Sequence, residues 1–154
     1  MAVAVRTVET ALGVFGIVEE DGAITALRWG AKGGVARSAL LDAAAAQLAA
    51  YAEGWLKAFD LPLRPAGTAA EQKVFAAMRA IPWGETRSYG EIGADVDLPA
   101  RVVGQCCGAN PIPVIIPCHR VSAADGRLGG FSAPGGVESK VMLLRHEGAF
   151  SLLL

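Results

Sequence analysis

Apolar and polar positions in the first part of the chain follow the patterns of a small sheet and one helix. Residues 3–10 predict a strand, and GVFGIVEEDGAITALRWG (13–30) contains two apolar, β-branched runs around Glu20-Asp21-Gly22. Asp-Gly between such runs is a strong hairpin signal. In RSALLDAAAAQLAAYAEGWLKAF (37–59) apolar residues recur at helical spacing, which predicts an amphipathic helix with Gly54 as a candidate break.

The second part of the chain predicts short helices. LPLRPAG (61–67) is proline-rich and extended, as expected of a linker. Thr68 and Glu71 have capping-box spacing, which predicts a helix from there to about residue 80. SYGEIGAD (88–95) predicts a short helix, and Pro99 suits the first turn of another that runs to about residue 109. Two short helices joined by a tight turn predict a helix-turn-helix.

The segment IPVIIPCHRV (112–121) places a cysteine and a histidine directly after an apolar run. The run predicts a short buried strand or extended segment. The following GRLGGFSAPGG (126–136) predicts a glycine-rich loop, and residues 137–146 predict a last helix. The whole pattern predicts an α+β chain with a sheet-and-helix domain at 1–63 and a mainly helical domain at 64–154.

Composition and charge narrow the range of functions. The 154 residues are 53% hydrophobic with a net charge of −1, which argues against a strongly basic coat for nucleic acid. Residues 1–63 carry more acids than bases and residues 64–154 are slightly basic, so a polyanion would meet the second part. No apolar stretch approaches the roughly 20 residues of a membrane span, and no signal peptide is evident, so we expect a cytoplasmic protein. The three cysteines lack the spacing of a disulfide framework.

Cys118 is the first candidate for chemistry. A nucleophilic thiol must lose its proton, and the imidazole of His119 could accept it. The alternative is a buried structural cysteine. Successive side chains of a strand point to opposite faces, so direct contact requires a turn or a bridging water. Glu147 is an option for the acid that orients His119; alternatively it is a surface acid at a helix end, where the helix dipole disfavours it.

The predicted helix at 99–109 has an unusual face. Arg101 is its only charged residue, and Ala100, Gly104 and Gly108 form a bare stripe. The stripe is explained either by tight packing on a neighbouring helix or by close approach to a bulky partner such as a nucleic-acid groove. Cys106 and Cys107 fit no zinc-binding spacing and are interpreted as packing residues.

Taken together, RVVGQCCGANPIPVIIPCHRV, with SYGEI upstream and GRLGGFS and LLRHEG downstream, resembles the O6-alkylguanine-DNA alkyltransferase family. The resemblance covers residues 69–148, and the N-terminal part matches only in plan. It implies a ribonuclease-H-like N-terminal domain and a winged-helix-like C-terminal domain.

The resemblance implies a role for each motif residue. Cys118 would accept the alkyl group, His119 would take its proton through a water, Glu147 would orient His119, and Asn110 would brace the turn before Cys118. The implied substrate-binding residues are Tyr89, which would help to rotate the nucleotide, Arg101, which would fill the space of the extruded guanine, and Phe131, Ser132 and Val121 around the pocket. The implied DNA-binding residues are Arg101, Gly104, Gly108, Ala100 and Arg120.

The implied function is direct DNA repair. A monomer would bind the minor groove of double-stranded DNA, flip out O6-alkylguanine or O4-alkylthymine, and transfer the alkyl group once to its own cysteine, without a cofactor or a metal. Two departures stand out: Phe131 replaces the tyrosine of many relatives, and residues 1–63 contain no Cys or His for the zinc site that some relatives carry. The alternatives are a cysteine-dependent hydrolase or acyltransferase, a non-catalytic damaged-DNA-binding relative, and a transcriptional helix-turn-helix module.

Overall fold

A computed structural model describes residues 3–123 and 136–149 of the chain. The chain divides into two compact units, Met1–Ala66 and Gly67–Leu154. The division falls slightly later than the predicted boundary because the start of the expected linker is attached to the sheet. The backbone N–H of Ile24 donates to the carbonyl of Pro62 (2.9 Å), and the N–H of Arg64 donates to that of Ile24 (2.8 Å).

The first unit is an antiparallel sheet of three strands with one helix packed against it. The strands are β1 (Val3–Thr10), β2 (Gly13–Glu20) and β3 (Ala23–Trp29), in that order across the sheet. Asp21 and Gly22, with φ of 49° and 81°, form the two-residue turn between β2 and β3. This confirms the predicted hairpin, since such a turn needs positive φ at both positions.

Helix α1 (Ala39–Ala52) covers the sheet and is shorter than predicted. Ser38 caps its start by accepting a hydrogen bond from the N–H of Leu41. Gly54, with φ of 85°, follows its end, where the sequence pattern offered a break. The apolar faces of sheet and helix form the core of this unit, whose members include Phe15, Ile17, Ile24, Leu27, Leu41 and Leu48.

In its described residues, the second unit contains four α-helices. Helix α2 (Ala69–Arg79) begins with the predicted capping box, in which Thr68 and Glu71 bond to each other's backbone N–H. The others are α3 (Tyr89–Val96), α4 (Ala100–Gly108) and α5 (Val137–His146). Buried residues of this unit include Val74, Phe75, Met78, Ile92, Val103, Ile112, Ile116 and Leu143.

Helices α3 and α4 form the predicted helix-turn-helix. Asp97 ends α3 in the left-handed conformation (φ 60°), and Pro99 directly precedes α4 without a side-chain capping hydrogen bond. Gly93 permits the tight turn, because a Cβ at this position would clash with the carbonyl oxygen of Leu98. The glycine is thus required by the close approach of the Leu98 backbone in the turn.

A short parallel pairing joins segments that are distant in sequence. Strand β4 (Arg87–Ser88) pairs with β5 (Val121–Ser122), so that Arg87 lies opposite Val121. The sequence did not predict these strands, since two residues carry no recognisable periodicity. The pairing places the start of α3 next to the segment that follows Cys118.

Candidate active site

The apolar segment before Cys118 is a tight turn, whereas the sequence predicts a short buried strand or extended segment. The N–H of Ile116 donates to the carbonyl of Ile112 (2.9 Å), and Pro113 and Ile116 form an isolated bridge. Val114 has a φ of 74°, which is unusual for a β-branched residue. Such a conformation costs of the order of 1–3 kcal/mol, so the surrounding contacts must hold it in place.

Asn110 holds this turn closed. Its Nδ2 donates to the carbonyl of Ile116 (2.9 Å), and its Oδ1 accepts a hydrogen bond from the N–H of Ile112 (2.9 Å). The same Ile116 carbonyl also accepts the N–H of Cys118 (2.8 Å). Asn110 is therefore connected to the backbone of Cys118 through one shared carbonyl oxygen.

Cys118, His119 and Arg120 form a single turn of 3₁₀ helix, and all three are buried. Successive side chains of a 3₁₀ helix are about 120° apart, so the thiol and the imidazole do not project from opposite faces as they would on a strand. Burial raises the pKa of the Cys118 thiol to about 11, although a hydrogen bond from Asn110 and the charge of Lys140 act in the other direction. The resting thiol therefore keeps its proton at neutral pH and needs a base to become a nucleophile.

His119 is placed to be that base. It is fully buried, and its Nε2 lies 2.8 Å from Oε2 of Glu147. Burial lowers the pKa of His119, despite the opposing hydrogen bond and charge of Glu147, so the ring favours its neutral form. With the proton on Nε2, Nδ1 carries a lone pair. Among the described residues, this Nδ1 has no hydrogen-bond partner.

The sequence analysis expected Arg120 to contact DNA, but the structure places its side chain away from the surface. Its side chain is buried, because its Nε and one terminal nitrogen donate to the two oxygens of Glu147 (2.8 and 2.9 Å). The other terminal nitrogen donates to the carbonyl of Ile81 (2.6 Å). A guanidinium engaged on these atoms is not available to a phosphate. The bidentate pair also explains how a carboxylate is tolerated at the C-terminal end of α5.

Lys140 is a site residue that the sequence analysis missed. It is fully buried on α5, its Nζ donates to the carbonyl of Val121 (2.6 Å), and it lies 5.8 Å from the ring centre of Tyr89. Burial lowers its pKa, whereas the nearby thiols of Cys118 and Cys107 raise it. The sequence contained a signal for this burial. Lys140 lies three and four residues before the buried Leu143 and Leu144, so it belongs to the apolar face of α5.

Tyr89 and Val121 are brought together by the β4–β5 pairing. Tyr89 directly follows β4 as the first residue of α3, and Val121 begins β5. Burial raises the pKa of Tyr89 to about 12, so its hydroxyl keeps a proton that it can donate. A Cβ at Gly104 would lie 4.0 Å from the Tyr89 ring, which places the ring beside the glycine-containing face of α4.

Helix α4 has one buried and one exposed face. Val103, Cys106 and Cys107 are buried, and Cys107 Sγ lies 3.5 Å from Met78 Sδ, consistent with the packing role expected of these cysteines. The exposed positions include Ala100, Arg101 and Gly108. A Cβ at Gly108 would meet no atom within 4 Å among the described residues, so helix packing does not explain this glycine.

Some expectations fall outside what the structure describes. Phe131 and Ser132, the expected pocket wall, lie outside the described residues. In the described part of the chain, no group of three or more His, Cys, Asp or Glu side chains is arranged to hold a metal ion. Within the same ranges, no helix is long and apolar enough to cross a bilayer.

Known proteins resemble this chain both in sequence and in fold. Residues 69–149 match the family described as 6-O-methylguanine DNA methyltransferase, DNA binding domain. A methylated-DNA–protein-cysteine methyltransferase of Mycolicibacterium paratuberculosis is 38% identical over 151 residues, 92% of this chain and 90% of the relative. One from Methanosarcina acetivorans is 45% identical over 108 residues, 69% of this chain and 68% of the relative.

The similarity extends to solved structures. The crystal structure of Mycobacterium tuberculosis OGT in complex with DNA has a TM-score of 0.83 and 38% identity, covering 95% of this chain and 93% of that one. The crystal structure of the M. tuberculosis O6-methylguanine methyltransferase has a TM-score of 0.84 and 37% identity, covering 96% and 94%. These matches show that the chain belongs to the methylated-DNA–protein-cysteine methyltransferase family.

Proposed function

We propose that this protein repairs DNA by transferring the alkyl group of O6-alkylguanine to Cys118, once per protein molecule. The observation that carries the proposal is the Nδ1 atom of His119, which is buried and has no hydrogen-bond partner among residues 3–123 and 136–149. It belongs to the same turn as a buried, protonated thiol. A water between these two groups would connect them. This arrangement suits a nucleophile that loses its proton as it attacks.

The transfer balances without a cofactor. The Cys118 sulfur attacks the alkyl carbon, an S–C bond forms, and the C–O6 bond breaks with its electron pair passing to the guanine. The thiol proton moves through the water to Nδ1 of His119, while Nε2 keeps its hydrogen bond to Glu147. The guanine takes up a proton, for which we propose the Tyr89 hydroxyl as donor; the tyrosinate then regains a proton from solvent, and the His119 imidazolium releases one to solvent. The product is a thioether that this site has no evident means to cleave.

The substrate base must leave the duplex to reach Cys118, because the thiol is buried. In our proposal, α4 lies in the minor groove, and its bare positions Ala100, Gly104 and Gly108 allow the backbone to approach closely. Arg101, exposed near the start of α4, fills the space left by the flipped nucleotide. Tyr89 and the Val121 segment line the base pocket, and Phe131 and Ser132 are proposed to complete it.

Several finer points belong to the same proposal. The protein acts as a monomer in the cytoplasm, and O4-alkylthymine is a second substrate. The support for a monomer is chemical: Cys118, His119, Glu147 and Asn110 all come from one unit of one chain, so the site is complete without a second copy. We retain a cysteine-dependent hydrolase or acyltransferase as the alternative, because a buried Cys–His–Glu arrangement also serves such chemistry.

Intact-mass analysis tests the function. The protein is mixed with excess duplex DNA carrying O6-methylguanine, and we expect one methyl group per chain with no further turnover. Peptide mapping should locate it on Cys118, Cys118→Ala should transfer nothing, and Cys107→Ala, a buried thiol on α4, should still react. Repeated turnover of an ester substrate would favour the hydrolase, and a methyl group on Cys106 or Cys107 would refute the assignment of the acceptor.

A further inference from the structure

Arg120 joins three parts of the second unit at the base of the site. Its hydrogen bonds reach Ile81, just after the end of α2, and Glu147, just after the end of α5. Arg120 itself belongs to the same 3₁₀ turn as Cys118 and His119. The residue is 6% exposed and Glu147 is 3% exposed, so water does not screen the ion pair substantially.

The hydrogen bonds to Glu147 determine the protonation states of Glu147 and His119. Glu147 accepts two N–H donors from Arg120 and faces Nε2 of His119. A carboxylate with several N–H donors is held in its ionised form. Because Arg120 already balances the charge of Glu147, a proton added to His119 would leave an extra positive charge in a fully buried place. Without Arg120, the carboxylate would instead draw a proton onto the imidazole and form a buried His–Glu ion pair.

We infer that Arg120 is a positioning residue of the proton relay, which keeps Glu147 ionised and His119 neutral, with the proton on Nε2 and the lone pair on Nδ1. This inference rests on the proposed function for its purpose, because only a neutral His119 can accept the Cys118 proton. During transfer the proton leaves Sγ, crosses the bridging water and binds Nδ1. The resulting imidazolium is then stabilised by Glu147, whose position Arg120 fixes.

The other charges around His119 are consistent with this arrangement. Among the described residues, the charged groups that act on the imidazole are Glu147, Arg120 and Lys140. Burial is the main cause that lowers the pKa of His119, and the charges of Arg120 and Lys140 act in the same direction, against Glu147. Lys140 donates to the carbonyl of Val121, whereas Arg120 donates to both oxygens of Glu147, so Arg120 acts on both the charge and the orientation of the acid.

Nitrogen NMR of the imidazole tests the inference without any transfer reaction. In ¹⁵N-labelled wild-type protein at neutral pH, we expect His119 to show a protonated Nε2 and an unprotonated Nδ1, with the signals assigned by their loss in His119→Gln. In Arg120→Met, both nitrogens should be protonated. Arg145→Met is the matched control, since it removes an exposed cation of α5 close to Glu147 in sequence, and its His119 signals should match wild type.

The rate of reaction with free O6-benzylguanine gives the second measurement. Arg120→Met should react about 100-fold more slowly at neutral pH, the low end of the range for a lost general base, and should recover as pH rises above the increased pKa of its His119. Arg120→Lys, which keeps the charge, should retain a neutral His119 and lose less activity; it also serves if Arg120→Met does not fold.

The two readouts separate the inference from the proposed function. An imidazolium in the resting wild type, or a neutral His119 in a folded Arg120→Met, would overturn the role of Arg120. A wild-type protein that shows the expected neutral imidazole but never alkylates Cys118 would refute the proposed function and leave the inference about proton location standing.

Discussion

Replacing Asn110 with alanine should have two separable effects. It should destabilise the protein, and it should slow the reaction of Cys118 with an alkyl donor. The substitution leaves the buried N–H of Ile112 without its partner, which costs about 1–3 kcal/mol. The Ile116 carbonyl loses one bond but keeps the N–H of Cys118, so its loss is smaller, about 0.5–1.5 kcal/mol. We therefore expect a decrease of about 1.5–4.5 kcal/mol in the free energy of unfolding.

Asn110→Ala should also change the reactivity of Cys118, through the pKa of its thiol. The hydrogen bond from Asn110 lowers the pKa of Cys118, so its removal raises that pKa further above the normal range. Reaction with free O6-benzylguanine should therefore be slower at neutral pH and recover partly as pH rises. Reaction with the free base does not require DNA binding. A decrease in its rate therefore reflects only changes in the thiol and the turn.

Urea unfolding measures the stability, and two further variants sharpen the interpretation. Thr86→Ala removes a small exposed polar group and should change the free energy of unfolding by less than about 0.5 kcal/mol. In Asn110→Asp, an ionised carboxylate faces the Ile116 carbonyl, whereas a protonated one can donate to it as the amide does. Burial and this carbonyl raise the pKa of the new acid, so its stability should approach wild type at acid pH and fall as pH rises through that pKa.

A small decrease in the free energy of unfolding of Asn110→Ala would refute the role given to Asn110 in the turn. If Asn110→Ala costs less than about 0.5 kcal/mol, the level of an ordinary surface substitution, then the two hydrogen bonds do not hold the strained Val114 in place. If the variant is destabilised but reacts with the free base as wild type does, Asn110 stabilises the fold without affecting the thiol.

Two other predictions follow from the site. Arg101→Ala should slow repair in duplex DNA far more than reaction with free O6-benzylguanine, because the free base avoids the few kcal/mol needed to flip a nucleotide; equal losses with both substrates in a rate assay would point to misfolding. The pKa of Cys118 is raised from 9.0 to about 11, so the buried neutral thiol stabilises the fold below pH 9, and this contribution of about 3 kcal/mol is lost as pH rises through 11. Urea unfolding between these pH values should show a shallower alkaline decrease for Cys118→Ala than for wild type, and identical slopes would contradict the burial of a protonated thiol.

Local signals let the sequence alone determine much of this protein. The Asp21-Gly22 turn and the capping box of Thr68 and Glu71 depend on residues a few positions apart, so both were predicted. The α+β fold class, the helix-turn-helix and the family followed from such patterns and from the motif around Cys118. The turn and the helix cap can be predicted from sequence because the backbone preferences of a few neighbouring residues set their geometry.

Only the tertiary structure decided how the site is arranged. Arg120 has the sequence context of a surface cation, but Glu147 and Ile81 lie 27 and 39 residues from it, and their contact turns the guanidinium inward. The β4–β5 pairing and the burial of Lys140 likewise depend on partners distant in sequence. The apolar run before Cys118 has the composition of a strand, yet it folds as a turn because Asn110 supplies the hydrogen bonds that a neighbouring strand would have provided. Sequence patterns report local preference, whereas burial and long-range hydrogen bonds determine which side chains face the reacting thiol.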